Sequence, residues 1–287
     1  MQSATGVIAL LFSCAMFGLP ACAGDLNWFV WQGDVEVRAG GALDGMSAVR
    51  AIPAVRGEEP RLVFGDEEGR LHAVKFSQGQ GHEVWISPPL WVNMVRKSPV
   101  AGIFVDDVNA DGELEIVAYS RAGDFAFYRT SDYHLLWASD ESDYETISAM
   151  TLANLDEDPQ LELVFCGTTK ESASRVFVYD CRDFFEEWRV EGDEKAHCVI
   201  VADLDGDGNL EVATNTGSVW DARTQRLEWS YPKGFGERIG YFDIDGDGTP
   251  ELIGEFESLS ATRYIRVFNV DQRRETFLTP LMDRKSQ

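Results

Sequence analysis

The chain has 287 residues, of which 25 are lysine or arginine and 49 are aspartate or glutamate, so its formal net charge is −24. This length accommodates one large β domain or two ordinary domains. The negative charge argues against a nucleic acid or an anionic membrane surface as a partner, because both attract basic proteins.

Residues 1–23 resemble a secretory signal peptide. An apolar run is followed by Ala21 and Ala23, which fit the small-x-small cleavage pattern, although no Lys or Arg precedes the run. Cys22 also stands where a bacterial lipoprotein box has its lipidated cysteine, but Pro20 fits that box poorly. The run is shorter than the ~20 residues of a membrane span. We therefore predict a secreted or periplasmic protein with no transmembrane segment. A membrane-tethered lipoprotein with a lipid anchor at Cys22 is the alternative.

Residues 27–38 read as one strand that precedes a series of repeated units. Trp31 lies 22 residues before Pro53, and Trp85 lies 22 residues before Asp107. The segment therefore matches the outermost strand of a preceding unit. A loose N-terminal arm is the alternative.

Five units of four predicted strands follow, at about residues 46–88, 98–140, 146–191, 195–232 and 236–281. Short runs rich in β-branched and aromatic residues alternate with Gly, Asp and Ser turns, as is typical of strands. A period of roughly 40–50 residues indicates a propeller or a solenoid. The fourth strand ends on an aromatic residue in every unit, namely Trp85, Trp137, Trp188, Trp229 and Phe277. We predict that the four tryptophans pack against the next unit; an aromatic platform for a sugar or a peptide is the alternative.

An acidic nine-residue loop joins the first and second predicted strands of the last four units. We name the copies loop A (107–115), loop B (154–162), loop C (203–211) and loop D (243–251). Each copy has an oxygen-bearing side chain at positions 1, 3, 5 and 9. The sixteen candidate metal ligands are Asp107, Asn109, Asp111, Glu115, Asn154, Asp156, Asp158, Glu162, Asp203, Asp205, Asp207, Glu211, Asp243, Asp245, Asp247 and Glu251. The spacing lets a tight loop direct several oxygens, with the carbonyl of position 7, at one hard cation. We therefore predict Ca²⁺ sites here; acidic turns without an ion are the alternative.

The four loops are not equivalent. Loops C and D have a carboxylate at each of positions 1, 3, 5 and 9 and a glycine at position 6, so we expect the strongest sites there. Loop A has Asn109 at position 3. Loop B begins with Asn154 and has Pro159 at position 6, where proline fixes φ at about −65°. We therefore expect loop B to be the weakest site or an empty one.

The phrase Asp-x-Asp-x-Asp-Gly-x-x-Glu, followed by an apolar strand, resembles the FG-GAP/VCBS repeat of integrin α-subunit propellers and of secreted bacterial proteins. The resemblance covers about residues 46–281. It implies an all-β fold, a β-propeller of about five four-stranded blades with calcium in the loops between first and second strands. We predict one propeller over residues 27–287, with its ring closed by the N-terminal strand pairing with the last blade, because closure removes exposed strand edges.

Three cysteines follow the signal segment, Cys166, Cys181 and Cys198, and their spacing contains no CxxC motif. Cys166 and Cys198 fall in apolar strand patterns, so we expect them to be buried. The pattern leaves open a single disulfide among the three.

The sequence favours an extracytoplasmic binding or scaffolding module for a protein or carbohydrate partner over an enzyme. The four histidines His72, His82, His134 and His197 lie at unrelated repeat positions, and no Ser-His-Asp, HExxH or phosphate-loop motif occurs. A hydrolase or lyase acting on polysaccharide stays the alternative, because glycosidases need only two suitably spaced acids.

The insertion over residues 88–98 is the most distinctive break in the repeat. It contains Trp91, Met94, Arg96 and Lys97, so it is aromatic and basic on an acidic protein. A long surface connection is the favoured interpretation. A partner contact is the alternative, because loops carry specificity on scaffold folds.

Overall fold

The computed structural model describes residues 28–32, 35–39, 49–53, 59–77, 80–91, 97–140, 143–156, 158–170, 172–190, 195–257 and 263–279. The predicted signal peptide and its alternative anchor, Cys22, lie outside these residues. No helix within the described ranges has the length and apolar character needed to cross a bilayer.

Two short strands come first, β1 (Trp28–Gln32) and β2 (Val35–Ala39), and they pair antiparallel with each other. The prediction of one strand over residues 27–38 is therefore wrong. The first strand ends at Gln32 and the second begins at Val35; the sequence between them is Gly-Asp, a dipeptide that favours a two-residue turn. The pairing of this segment with the last blade stays a prediction.

The remaining strands form five four-stranded antiparallel sheets, each in simple sequence order. Blade 1 contains β3 (Val49–Ile52), β4 (Arg61–Gly65), β5 (Leu71–Ser77) and β6 (Gln80–Ile86); blade 2 contains β7 (Val100–Asp106), β8 (Glu115–Ser120), β9 (Phe125–Arg129) and β10 (Leu135–Ala138); blade 3 contains β11 (Thr146–Ala153), β12 (Glu162–Thr169), β13 (Ser172–Asp180) and β14 (Phe185–Arg189); blade 4 contains β15 (Val199–Ala202), β16 (Glu211–Thr214), β17 (Ser218–Asp221) and β18 (Arg226–Ser230); blade 5 contains β19 (Arg238–Phe242), β20 (Glu251–Glu257), β21 (Arg263–Asn269) and β22 (Arg274–Leu278). The prediction of an all-β fold with five four-stranded blades is confirmed.

The second strands lie at the centre of the packing. Every residue of β8 and of β16 is buried. A strand buried on both faces reads as a nearly continuous apolar run, and the segment Glu115–Ser120 has this character after its first residue. The acidic loops lead directly into these strands, so each loop is attached to a rigid, buried element.

Each pair of successive blades shares its own apolar core. The core between blades 1 and 2 includes Ile52 and Ile103, and the core between blades 2 and 3 includes Phe125 and Phe165. The other two cores are also built from both neighbouring sheets. The burial of apolar side chains between sheets therefore stabilises the stacking of the blades.

The recurring tryptophans lie at these blade interfaces. Trp85 of blade 1 stacks on Tyr133 of blade 2, with ring centroids 4.6 Å apart. Trp137 of blade 2 stacks on Phe184 of blade 3 at 5.7 Å. Trp188 and Trp229 pack against the next two cores. The prediction that these side chains pack between units is confirmed.

Candidate metal centres

Each acidic loop connects the first strand of its blade to the second. Loop A follows β7, loop B follows β11, loop C follows β15 and loop D follows β19. Because all four blades have the same strand order, the loops occupy equivalent positions at one end of their sheets.

The aspartate at position 1 shapes loops A, C and D. Asp107, Asp203 and Asp243 each accept the backbone N–H of the glycine at position 6, at 2.9, 3.1 and 3.0 Å. These glycines, Gly112, Gly208 and Gly248, have φ of 87°, 90° and 96°. The predicted left-handed turn at position 6 is therefore confirmed, and glycine is the residue that adopts it without strain.

The side chains at positions 3 and 5 brace the rest of the loop. Position 3 accepts the N–H of position 5 in all four loops, at distances from 2.8 to 3.2 Å. Position 5 accepts the N–H of position 7 in loops A, C and D, at 2.7 to 2.8 Å. The polar side chains thus hold their own backbone in a tight turn, as Asp and Asn commonly do.

The glutamate at position 9 is buried in every loop. Its Oε2 accepts the backbone N–H of position 2, at 3.2, 2.5, 2.6 and 3.0 Å in loops A to D. Glu115, Glu162 and Glu211 are 1, 1 and 0% exposed. The second oxygen of each, Oε1, is buried and has no hydrogen-bond partner among the described residues. An oxygen in this state is costly unless a water or an ion contacts it.

Carboxylates converge in loops C and D as the sequence predicts. Asp203, Asp205 and Glu211 have carboxylate oxygens within 4.8 Å of one another. The corresponding group in loop D is Asp243, Asp245 and Glu251, also within 4.8 Å. Positions 1, 3 and 9 therefore meet at one point, whereas Asp207 and Asp247 at position 5 are outside these two groups.

Loop A has Asn109 in place of an aspartate at position 3, and its hydrogen bonds differ at one place. The Oδ1 of position 1 accepts the N–H of position 5 in loop A, but the N–H of position 4 in loops C and D. Position 4 of this loop is Ala110, which has φ of 59°. Loops C and D have Gly206 and Gly246 there, both with φ of 80°. Loop A therefore adopts the same turn with a residue that does not favour it.

Loop B is built differently at its start. Pro159 has no N–H for position 1 to accept, and Asn154 instead donates its Nδ2 to the carbonyl oxygens of Asp158 and Gln160, at 2.6 and 3.0 Å. The carbonyl at position 7, a predicted ligand, therefore accepts a hydrogen bond from the first side chain of the loop.

A residue outside the loop joins the acidic group of loop B. Asp156, Glu162 and Glu187 have carboxylate oxygens within 4.8 Å of one another, and Glu187 belongs to the fourth strand, β14. The loop motif does not include this residue. The sequence contained one signal for it, the dipeptide Glu-Trp at the same strand position in blades 3 and 4.

The position-9 glutamates of loops A, B and C have raised pKa values, first because they are buried and second because other loop acids lie near them. Burial raises the pKa of Glu115 to about 7, and Asp111 and Asp107 add to the effect. Burial likewise raises the pKa of Glu162 and of Glu211 to about 8, and loop aspartates contribute again. Desolvation and like charges both disfavour the ionised form, and a cation at the same place would oppose both.

Two histidines have structural partners. His72 contacts Glu83 through Nδ1 at 2.6 Å and Asp66 through Nε2 at 3.0 Å. His197 contacts the side chain of Asn215 and the carbonyl oxygen of Glu237. The cysteines Cys166, Cys181 and Cys198 are buried thiols.

The described ends of the insertion at residues 88–98 pack on the β4–β5 turn. Trp91 donates its Nε1–H to the carbonyl oxygen of Glu68 at 2.7 Å, and Lys97 lies 3.6 Å from the Glu68 carboxylate. Leu90 is buried in the core between blades 1 and 2. Met94 and Arg96 lie outside the described residues.

A cleft of about 730 Å³ lies between loops B and C. Its walls include Asn154, Asp156 and Asp158 from loop B and Asn209 from loop C. Arg223, from the turn between β17 and β18, also lines it. The cleft is therefore acidic on one side, with one guanidinium on the other.

No protein-family model matches this chain, and no curated protein matches it. Solved structures do. BamB from Moraxella catarrhalis is 14% identical with a TM-score of 0.50, over 88% of this chain and 75% of that one. Sqt1 from Saccharomyces cerevisiae is 12% identical with a TM-score of 0.56, over 85% of this chain and 63% of that one. A chain of the mitotic checkpoint complex is 12% identical with a TM-score of 0.55, over 89% of this chain and 74% of that one.

This chain is a β-propeller. The five successive four-stranded sheets and the similarity to these structures agree on this point. At such low identity the similarity establishes the fold alone.

Proposed function

We propose that this protein is a calcium-stabilised propeller of the FG-GAP/VCBS type that acts outside the cytoplasm as a binding or scaffolding module. One observation carries the calcium assignment. Glu115, Glu162 and Glu211 each keep a buried Oε1 with no hydrogen-bond partner in the described residues, and in loops B and C further carboxylates converge on the same glutamate. A cation that accepts this oxygen satisfies a group that is otherwise expensive to bury.

Calcium is the ion that these residues fit best. The donors are carboxylate oxygens and an asparagine oxygen, which hard cations prefer, and calcium tolerates irregular geometry with six to eight ligands. In loops C and D the ion would be held by positions 1, 3 and 9. The chemistry supplied by the ion is charge neutralisation, since it would hold together loops whose acids otherwise repel one another.

The binding role is supported by where the described cleft lies. Its walls come from loops B and C, so ions in these loops would set its shape. One of the similar structures is a chain of a protein assembly, the mitotic checkpoint complex. We infer that a protein or carbohydrate partner contacts the loop end of the blades, and that this contact depends on calcium.

Location outside the cytoplasm rests on the predicted signal at residues 1–23. A polysaccharide hydrolase or lyase is the less favoured role. The acids that line the described cleft are Asp156 and Asp158 of loop B. Their proposed role as metal ligands would explain their presence without a catalytic role. His72 and His197 are engaged by neighbouring groups.

The variant Glu211→Gln tests the calcium assignment, because its effect on the melting temperature should differ between calcium and chelator. Gln keeps an oxygen for the Leu204 N–H but removes the buried charge. We expect Glu211→Gln to unfold at a lower temperature than the unmodified protein in calcium, because a ligand is lost. In chelator at about pH 9, above the Glu211 pKa of about 8, we expect it to be at least as stable, because an unpaired buried carboxylate has been neutralised.

Glu59→Gln, at an exposed position, serves as the matched control and should change neither melting temperature. The same loss of stability for Glu211→Gln in calcium and in chelator would contradict a cation at this oxygen. The role as a binding module is tested separately, by comparing capture of a purified candidate partner with and without chelator.

A further inference from the structure

The fourth strand of every blade has a β-bulge at the residue that precedes the recurring aromatic side chain. The pairing register skips one residue there, leaving it without a cross-strand partner. The bulged residues are Val84, Leu136, Glu187, Glu228 and Thr276. A bulge redirects a side chain away from the direction that the regular pleat would give it.

Only blades 3 and 4 have an acid at the bulge, and only in blade 3 does it join a loop acid group. Glu187 has a carboxylate oxygen within 4.8 Å of oxygens of Asp156 and Glu162. In loop C, the group of three consists of positions 1, 3 and 9; the charge of Glu228 raises the pKa of Glu211, but Glu228 is outside this group. Loop B thus also has three converging carboxylates, but one of them comes from the fourth strand instead of from position 1.

The start of loop B explains why this substitute is needed. Asn154 directs its Nδ2 at the carbonyl oxygens of Asp158 and Gln160, so its amide acts as a donor at the position where the other loops have an aspartate. The amide nitrogen does not bind a cation, and the neutral amide adds no charge at position 1. A carboxylate from β14 supplies the missing charge.

Two acids of loop B, Glu162 and Asp158, each keep one carboxylate oxygen without a hydrogen-bond partner among the described residues. Glu162 is almost completely buried, and its Oε1 has no hydrogen-bond partner among the described residues. Asp158 uses Oδ2 to accept the side-chain amide of Gln160, while its Oδ1 is buried with no partner in the described part of the chain. Buried acceptors beside two further carboxylates form a site for a cation.

We propose that loop B binds a divalent cation of the calcium type, with Glu187 from the outer strand replacing the position-1 ligand. This inference rests on the proposed function, since it concerns the same ion. It differs from the expectation drawn from the loop motif, in which Pro159 and Asn154 leave loop B weak or empty. A cation at this site would connect loop B to the fourth strand, β14, whereas a site built from the loop motif alone would stay within the loop.

Calcium titration of the chelator-treated full chain, followed by calorimetry, tests the proposal in the unmodified protein and in Glu187→Gln and Glu228→Gln. We expect Glu187→Gln to bind one calcium ion fewer per chain, or to bind that ion at least about tenfold more weakly, because affinity follows the number of charged ligands. Glu228→Gln, the same change at the same bulge of blade 4, should keep the original number of sites.

Melting in chelator is the control for folding, and both variants should melt there no lower than the unmodified protein. Glu162→Gln supplies the second measurement and should lose the same site as Glu187→Gln. A titration of Glu187→Gln identical to that of the unmodified protein would overturn the role of Glu187 and leave the other calcium sites standing. No calcium binding by the unmodified protein would overturn the proposed function itself. Loss of one site in both bulge variants would also contradict the proposal, since the effect would then not be specific to Glu187.

Discussion

At the scale of single residues, the loops show how one turn tolerates different side chains. Ala110 adopts φ of 59° at a position where loops C and D have glycine. A left-handed conformation costs an L-residue roughly 1–2 kcal/mol, and glycine avoids this cost while losing some chain entropy on folding. Loop A is therefore strained at one residue and its sequence does not show this directly, because alanine is not a turn residue.

We predict that Ala110→Gly raises the free energy of unfolding by up to about 1 kcal/mol. The reverse change, Gly246→Ala in loop D, should lower it by a similar amount. Gly246 is a clean control because no atom lies within 4 Å of the place where its Cβ would be. Urea unfolding in calcium measures both. A loss of stability in Ala110→Gly would contradict the strain.

His72 illustrates a pH-dependent contact in blade 1. Burial by itself would lower its pKa, but the hydrogen bonds and charges of Glu83 and Asp66 outweigh burial and raise the pKa. A raised pKa in the folded state means that the protonated ring stabilises the fold. This stabilisation is complete below the ordinary histidine pKa of about 6.5 and disappears as the pH rises through the folded value.

The difference in melting temperature between the unmodified protein and His72→Gln should therefore be larger at about pH 5 than at about pH 9. The measurement is made with calcium in excess at both pH values, so that the loop acids contribute equally to both proteins. A difference that is the same at both pH values would show that the ring acts without its charge.

At the scale of strands, the recurring tryptophan of blades 1 to 4 packs against the next blade. Trp229 is 8% exposed and lies 5.1 Å from the ring of Phe235 and 6.3 Å from that of Phe268 in blade 5. Phe277 stands at the same strand position in blade 5 and is 52% exposed. An aromatic side chain at the same strand position is therefore buried in blade 4 and exposed in blade 5.

We predict that Trp229→Ala lowers the free energy of unfolding by about 3–5 kcal/mol, the range for large buried aromatics. Phe277→Ala should lower it by about 1 kcal/mol or less, as is usual for an exposed side chain. Chemical denaturation measures both. An equally large effect at Phe277 would contradict its exposed position and would favour closure of the ring by the N-terminal segment over blade 5.

The strands and loops were largely predictable because they depend on local patterns. Alternating turns and apolar runs indicate the blades, and Asp or Asn at positions 1, 3 and 5 with Glu at position 9 marks all four loops. Glu187 was not predictable from the loop motif, because its role depends on a bulge that brings the fourth strand to the loop. The reversed role of Asn154 was equally hidden, since an amide offers both a donor and an acceptor and only the fold decides between them.

At the scale of the whole molecule, the chain is a series of blades with apolar cores between them and acidic loops at one end. A formal charge of −24 works against compactness, and much of that charge is concentrated in loops A to D. Calcium in the loops would offset part of this repulsion. Stability of the propeller and the shape of its loop end are therefore expected to depend on the same ions.

Binding of calcium to the chelator-treated chain, measured together with its melting temperature, tests this account most directly. We predict saturable binding of more than one calcium ion per chain, and a melting temperature that rises with the free calcium concentration as linkage requires. A protein that binds no calcium and melts at the same temperature in chelator and in excess calcium would contradict the account.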